Sequence, residues 1–207
     1  MSVKEKEEWG TGEGIRKWQR CFDCGQLFHG PVLLALGWAA WKTYLGRPET
    51  DTTRYASMGV LGKNIQPSRP EEALPVLEAT LALNRRYWSH NEESILTTQA
   101  NYASCLVTLG RLEEALVLRR EVYARGVAMH VSHETTIMYG VSLANTLLRT
   151  GVYDEAKSLL RELRPAAQRS LGSDSDVTLY LNDNLAVALE ENPTRTRDDL
   201  LEAETIM

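Results

Sequence analysis

Only three cysteines occur in these 207 residues, and an odd count argues against a closed disulfide framework. Long apolar stretches are equally scarce. The strongest, Pro31 to Trp41 (PVLLALGWAAW), has eleven residues, where a membrane-spanning helix needs about 20, so it reads as a buried helix. The first twenty residues mix both charges and hold no apolar h-region, so no secretory leader is expected. Basic charge is short as well: 23 Lys and Arg against 28 Asp and Glu give a net charge of -5. That leaves no general attraction to a phosphate backbone, so nucleic acid is not an expected partner. G-x-S-x-G, H-E-x-x-H, Walker-type and G-x-G-x-x-G patterns are all missing. The expectation is a non-catalytic, cytoplasmic protein with no membrane contact.

What the chain does have is a repeat. Asn101 to Val122 (NYASCLVTLGRLEEALVLRREV) aligns with Ser142 to Leu163 (SLANTLLRTGVYDEAKSLLREL), matching Ala103 with Ala144, Leu106 with Leu147, Gly110 with Gly151 and Ala115 with Ala156. An earlier copy places Ala73 against Ala115, and a later half-copy places Ala186 against Ala144, so the spacing is 41 to 42 residues. The glycines end a helix where a left-handed residue is needed. The alanines let two helices approach, and Leu106, Leu112, Leu147 and Tyr153 fill the seam. Between copies recur SHNEESIL, SHETTIM and SDSDVTL, each suited to an N-cap followed by an acidic first turn. No stretch alternates as a strand would. Self-similarity at this period implies stacked helix pairs.

The pattern resembles the tetratricopeptide repeat in its longer, kinesin-light-chain-like form. The resemblance implies an all-α fold, a right-handed superhelix of antiparallel helix pairs (a tetratricopeptide-like solenoid), over about 52–88, 93–130, 134–171 and 174–207. It also implies a loop element at Ser89-His90, Ser132-His133 and Ser173-Asp174. The first copy departs from the family, with Gln66, Pro67 and Ser68 in place of the turn glycine. The last gains residues over Asn192 to Arg197, and the chain stops inside a second helix. A fragment, or an array completed by another chain through the uncapped last repeat, is therefore expected.

Residues 1–19 read as a flexible charged tail, with Trp9 and Trp18 among Arg16, Lys17 and Arg20, and a glycine pair at Thr11-Gly12-Glu13-Gly14 that reads as linker. Cys21 and Cys24 form C-x2-C, the commonest half of a structural zinc site, since two thiolates on one turn reach a tetrahedral ion. CFDCGQLFHG followed by PVLLALGWAAWKTYLGRP resembles the last ligand pair of a RING-CH-type zinc finger, with a bridging helix, over 20–48. That resemblance implies metal ligation by Cys21 and Cys24, yet the ligands that would precede them are missing. No cofactor is expected in the chain as given, with zinc possible only were the finger complete. Free thiols on a remnant turn are the other reading. Trp38 and Trp41, three apart, read as core, and His130 and His133 as part of a repeat loop rather than a metal pair.

Counting from the aligned alanines, the first helix of each pair turns Thr97, Ala100, Asn101, Ser104 and Thr108 to the concave side. In the next it turns Met138, Val141, Asn145, Leu148 and Arg149, and in the last Tyr180, Asp183, Asn184, Val187 and Glu190. An asparagine amide can both donate to and accept from a peptide unit. Asn101, Asn145 and Asn184 are therefore either peptide-holding groups or cross-links between adjacent helices. Arg149 favours an acidic ligand group; Asp183 and Glu190 favour a basic one. The expected function is a scaffold that binds a peptide or protein segment. The alternative is the substrate-recognition part of a RING-CH-type ubiquitin ligase, and a trafficking or motor adaptor is a third reading that rests on repeat length.

Overall fold

The computed structural model describes residues 18–21, 23–130 and 133–206. Most of the charged tail, with Trp9, Thr11 to Gly14, Arg16 and Lys17, lies outside the described residues, as does Ser132 of the middle loop element. The described residues form nine helices: α1 Gly30–Tyr44, α2 Thr52–Ile65, α3 Pro70–Tyr87, α4 Glu92–Thr108, α5 Leu112–Ala128, α6 His133–Arg149, α7 Tyr153–Leu171, α8 Asp176–Glu190 and α9 Arg197–Ile206. The all-α expectation holds, and the only extended pairing among them is an isolated bridge between Arg20 and Leu27. No described helix is long and apolar enough to cross a membrane.

Local chemistry sets the helix ends. Gly151 lies at φ +76°, and Gly110 at +74°, the left-handed region expected of a residue that ends a helix. Acidic pairs occupy the first turns of α3, α4, α5, α7 and α9, where the helix dipole favours negative charge. The caps of α4 and α8 are Asn91 and Ser175, each two residues past the Ser of the family-like loop element. At the start of α2, Asp51 Oδ1 accepts from the amides of Thr53 and Arg54, both at 2.9 Å, and Oδ2 pairs with Arg47 at 3.2 Å. Partial burial works against the Asp51 carboxylate, but the Arg54 amide and the Arg47 charge outweigh it and hold its pKa below the ordinary value. Asp51→Ala is expected to cost the first unit about 1 kcal/mol in urea unfolding, the typical value of a lost N-cap.

The helices divide into two compact units, one ending at Leu109 and one starting at Gly110. In the first, each helix packs on the next from α1 to α4. Its core joins Leu61 and Ile65 of α2 to Ala73 and Leu77 of α3 and Cys105 of α4, with Leu34 and Trp41 of α1 against them. Trp41 thus belongs to the core, whereas Trp38 is 38% exposed, contrary to its reading as core. Three residues along a helix turn a side chain by about 300°, enough here to separate the two indoles.

In the second unit successive helices again pack in order, and α8 also touches α6. The aligned Ala144 and Ala156 are fully buried, as are Leu147 and Leu160. Around them Leu181, Leu185 and Leu189 of α8 and Ala203 of α9 complete the core. Each such leucine contributes about 2 kcal/mol by leaving water. The extra residues before α9 are an ordered turn. Buried Asn192 donates to Asp154 Oδ1 at 2.8 Å and accepts from the Thr194 amide and hydroxyl.

Candidate functional site

Tyr55, Gly59 and Lys63 are spaced four apart on α2, so they share one face. Ser94, Thr97, Thr98 and Asn101 share a face of α4 for the same reason. These two faces line an open groove of about 500 Å³ within the first unit, with Gln19 at its rim. Its floor is polar. Fully buried Asn84 of α3 donates through Nδ2 to the Tyr55 hydroxyl at 2.7 Å and to Ser94 Oγ at 3.1 Å. The Tyr55 hydroxyl also lies 3.0 Å from Ser94 Oγ and 3.1 Å from Thr98 Oγ1. The Tyr55 ring packs on Trp88 with centroids 4.8 Å apart. Below the groove, the Gln66 amide spans from α2 to Thr108 Oγ1 at 2.6 Å, so the residue found in place of the turn glycine ties the two walls together.

The sequence-predicted Thr97 and Asn101 both line this groove. Thr97 donates to Glu93 O at 3.0 Å. Asn101 and Lys63 make no hydrogen bond or ion pair among the described residues, so an amide and an ammonium stand available to a ligand. Tyr55, Lys63 and Asn84 were not anticipated. The signal was present, since moving Thr97 and Asn101 back by the 42-residue period gives Tyr55 and Gly59.

In the second unit the structure gathers Asn145, Tyr180 and Asn184. Asn145 Nδ2 donates to the Tyr180 hydroxyl at 2.8 Å and reaches Asn184 Oδ1 at 3.4 Å, while Asn184 Nδ2 donates to Tyr180 O at 2.8 Å. Asn184 is 6% exposed. Of the two readings offered for these amides, the link between adjacent helices is the one formed here. Val141 is buried in the core, whereas Arg149 and Asp183 are exposed. Sequence reasoning missed Arg119 of α5, whose guanidinium is pushed down to about 10 by burial, with Arg149 adding to the effect and Tyr180 opposing it. Its place in the repeat is that of Leu160, 41 residues on, so a charged residue at a core leucine position was the available clue.

Cys21 and Cys24 stand on a tight turn closed by Cys21 N–H to Gln26 O at 2.8 Å and Gly25 N–H to Cys21 O at 2.9 Å. The Cys24 and Asp23 amides and the Cys24 thiol donate to Cys21 Sγ, which lowers the Cys21 pKa from the ordinary thiol value. Among the described residues no group of three or more His, Cys, Asp or Glu side chains could hold a metal ion.

Compared with solved structures, the chain is similar to a Podosopora anserina protein described as a kinesin light chain with nearly identical TPR-like repeats. The match has a TM-score of 0.69 and 21% identity, and covers 98% of this chain and 94% of the other. The fold is that of TPR-like repeats. A crystal structure of a point variant described in the same terms matches with a TM-score of 0.64 and 20% identity, over 98% and 91% of the two chains. No protein-family model matches the chain, and no curated protein matches it. None of these comparisons supports the RING-CH resemblance of residues 20–48.

Proposed function

We propose that this TPR-like array is a non-catalytic, cytoplasmic interaction module that holds an extended segment of a partner protein. The observation that carries this reading is the groove between α2 and α4, with Lys63 and Asn101 unengaged above a rigid floor of Asn84, Tyr55 and Ser94. An extended peptide presents unpaired N–H and C=O groups along its length, and Asn101 can serve both kinds. Lys63 adds a cation for a carbonyl or carboxylate. A floor already hydrogen-bonded within the protein needs little ordering when the ligand arrives, which favours affinity. Thr97 and Asn101 act in the first unit; Asn145, Arg149, Tyr180, Asp183 and Asn184 form a second polar face in the other. A further copy of the chain, docking on the last repeat, belongs to the same reading.

A displayed random-peptide library selected on the full chain tests this directly. Peptides that bind the wild type are expected to bind Asn101→Ala about tenfold more weakly by fluorescence anisotropy, a loss of about 1.4 kcal/mol. Lys63→Ala is expected to weaken them by a similar factor, with a reduced salt dependence. Equal affinity for wild type and both variants would place the ligand elsewhere.

A further inference from the structure

We propose that the groove between α2 and α4 selects an extended segment that carries a basic and an acidic side chain four positions apart. The inference rests on the reading of this groove as a peptide site and goes on to its choice of ligand. Among the described residues that line the groove, the charged ones are Lys63 on one wall and Glu93 on the other. Both are exposed, and neither side chain makes a hydrogen bond or ion pair among the described residues. Hydrogen bonds hold the two walls parallel and in step: Tyr55 meets Ser94 and Thr98, and Gln66 meets Ser104 and Thr108. Lys63 therefore stands about 11 residues beyond Glu93 along the groove, or about 17 Å at about 1.5 Å per residue. That is about twice the screening length of physiological salt, so the two charges do not neutralise each other. Glu93 lies in the first turn of α4 and Lys63 in the last turn of α2. Each full charge exceeds the half-charge of the helix end beneath it. The groove is thus negative at one end and positive at the other.

A ligand must match that polarity. In an extended chain, side chains four positions apart share a face and stand about 13 Å apart. A long Arg or Lys at one end and an Asp or Glu at the other close the remaining distance. Between the charges, the groove has little to offer a charged or bulky residue. The Tyr55, Ser94 and Thr98 hydroxyls already bond one another, and Thr97 bonds its own helix. Ala56 and Gly59 carry at most a methyl group, so the backbone of the segment can lie close to α2. Asn101 is then left for one peptide unit of that backbone. A segment with charges of one sign satisfies one end and is repelled at the other, and this repulsion is what discriminates.

The test uses the full chain and labelled nonapeptides of Ala, Ser and Asn that carry one Arg and one Glu four positions apart, in each order. Isomers with the two charges adjacent can reach only one end of the groove and serve as the comparison. By fluorescence anisotropy, the better separated peptide is expected to bind about fivefold more tightly than its adjacent isomer, the worth of one exposed ion pair. Glu93→Lys should weaken that peptide about tenfold or more, since attraction is replaced by repulsion. Exchanging the peptide's Arg for Glu should restore binding to this variant to within about twofold, a rescue that a damaged fold could not give. Equal binding of the two isomers, with affinity still lost in Asn101→Ala, would overturn the charge selection and leave the peptide groove standing. Separated peptides that fail to bind where library-selected ones succeed would overturn it too. Binding that no substitution at Lys63, Glu93 or Asn101 alters would overturn both the selection and the groove.

Discussion

Replacing Asp199 with alanine is expected to destabilise the second unit by about 3 kcal/mol, in the range for breaking a buried charge pair. This carboxylate is 4% exposed, and its oxygens accept from Thr196, Arg161 and Lys157. Its Oδ2 accepts the Thr196 amide and hydroxyl at 2.9 Å each, and its Oδ1 takes the Arg161 guanidinium at 3.0 Å. Lys157 reaches both oxygens at 3.3 Å. Thr196 Oγ1 in turn accepts the Asp199 amide at 3.1 Å, which closes the first turn of α9 as a capping box. Arg161 also pairs with Glu202, so two acids of α9 are clasped by two cations of α7. Alanine would leave Lys157, itself only 15% exposed, without its main anion. The measurement is urea unfolding followed by circular dichroism, and a loss under 1 kcal/mol would show the cluster to be surface decoration.

The same group makes a pH prediction. The Thr196 amide bond first, then the Thr196 hydroxyl and the two cations, overcome burial and hold the Asp199 pKa far below its ordinary value. A carboxyl with a lowered folded pKa adds stability that is fully present above its unfolded pKa of about 3.9. That stability is lost as pH falls below this value toward the folded pKa. Acid unfolding of Asp199→Asn should therefore be less steep than that of the wild type below about pH 4.

Asn84→Ala is expected to cost the first unit about 2 kcal/mol and to weaken groove binding with it. The amide is fully buried and touches both walls, through Tyr55 of α2 and Ser94 of α4. Its removal opens a small cavity and deprives two half-buried hydroxyls of a donor, although Tyr55, Ser94 and Thr98 can still bond one another. Because Asn84 Oδ1 has no partner among the described residues, Asn84→Leu offers a contrast. It fills the volume and removes the orphaned acceptor, so its stability loss should be the smaller of the two. Both variants should bind selected peptides more weakly, since the position of Tyr55 depends on the amide. Undiminished affinity in both would mean that the floor does not organise the groove.

Much of this was legible from residues alone where the physics is local. Gly151 ends α6 because its φ is positive, and a 41-residue offset from Gly110 revealed it without coordinates. Buried Ala144 and Ala156 were readable as small residues at a fixed spacing. Less local features were read less well. Trp38 looked like Trp41 in sequence, yet only one packs inward. Asn145 and Asn184 carry the right chemistry for a peptide, but whether they meet each other depends on where α8 lies against α6. Asn84 and Arg119 sit on second helices, outside the positions from which a ligand face was counted.

The sequence by itself determined that this protein is an array of helix pairs, because helix ends, small-residue contacts and apolar stripes are encoded within one period. It also determined that Cys21 and Cys24 share a C-x2-C spacing, with the third cysteine far along the chain. Only the tertiary structure decided which polar groups remain free. Hydrogen bonds between helices engage Asn145, Asn184 and Asn84 while leaving Lys63 and Asn101 unengaged among the described residues, and the choice turns on ångström-scale distances that no repeat pattern contains.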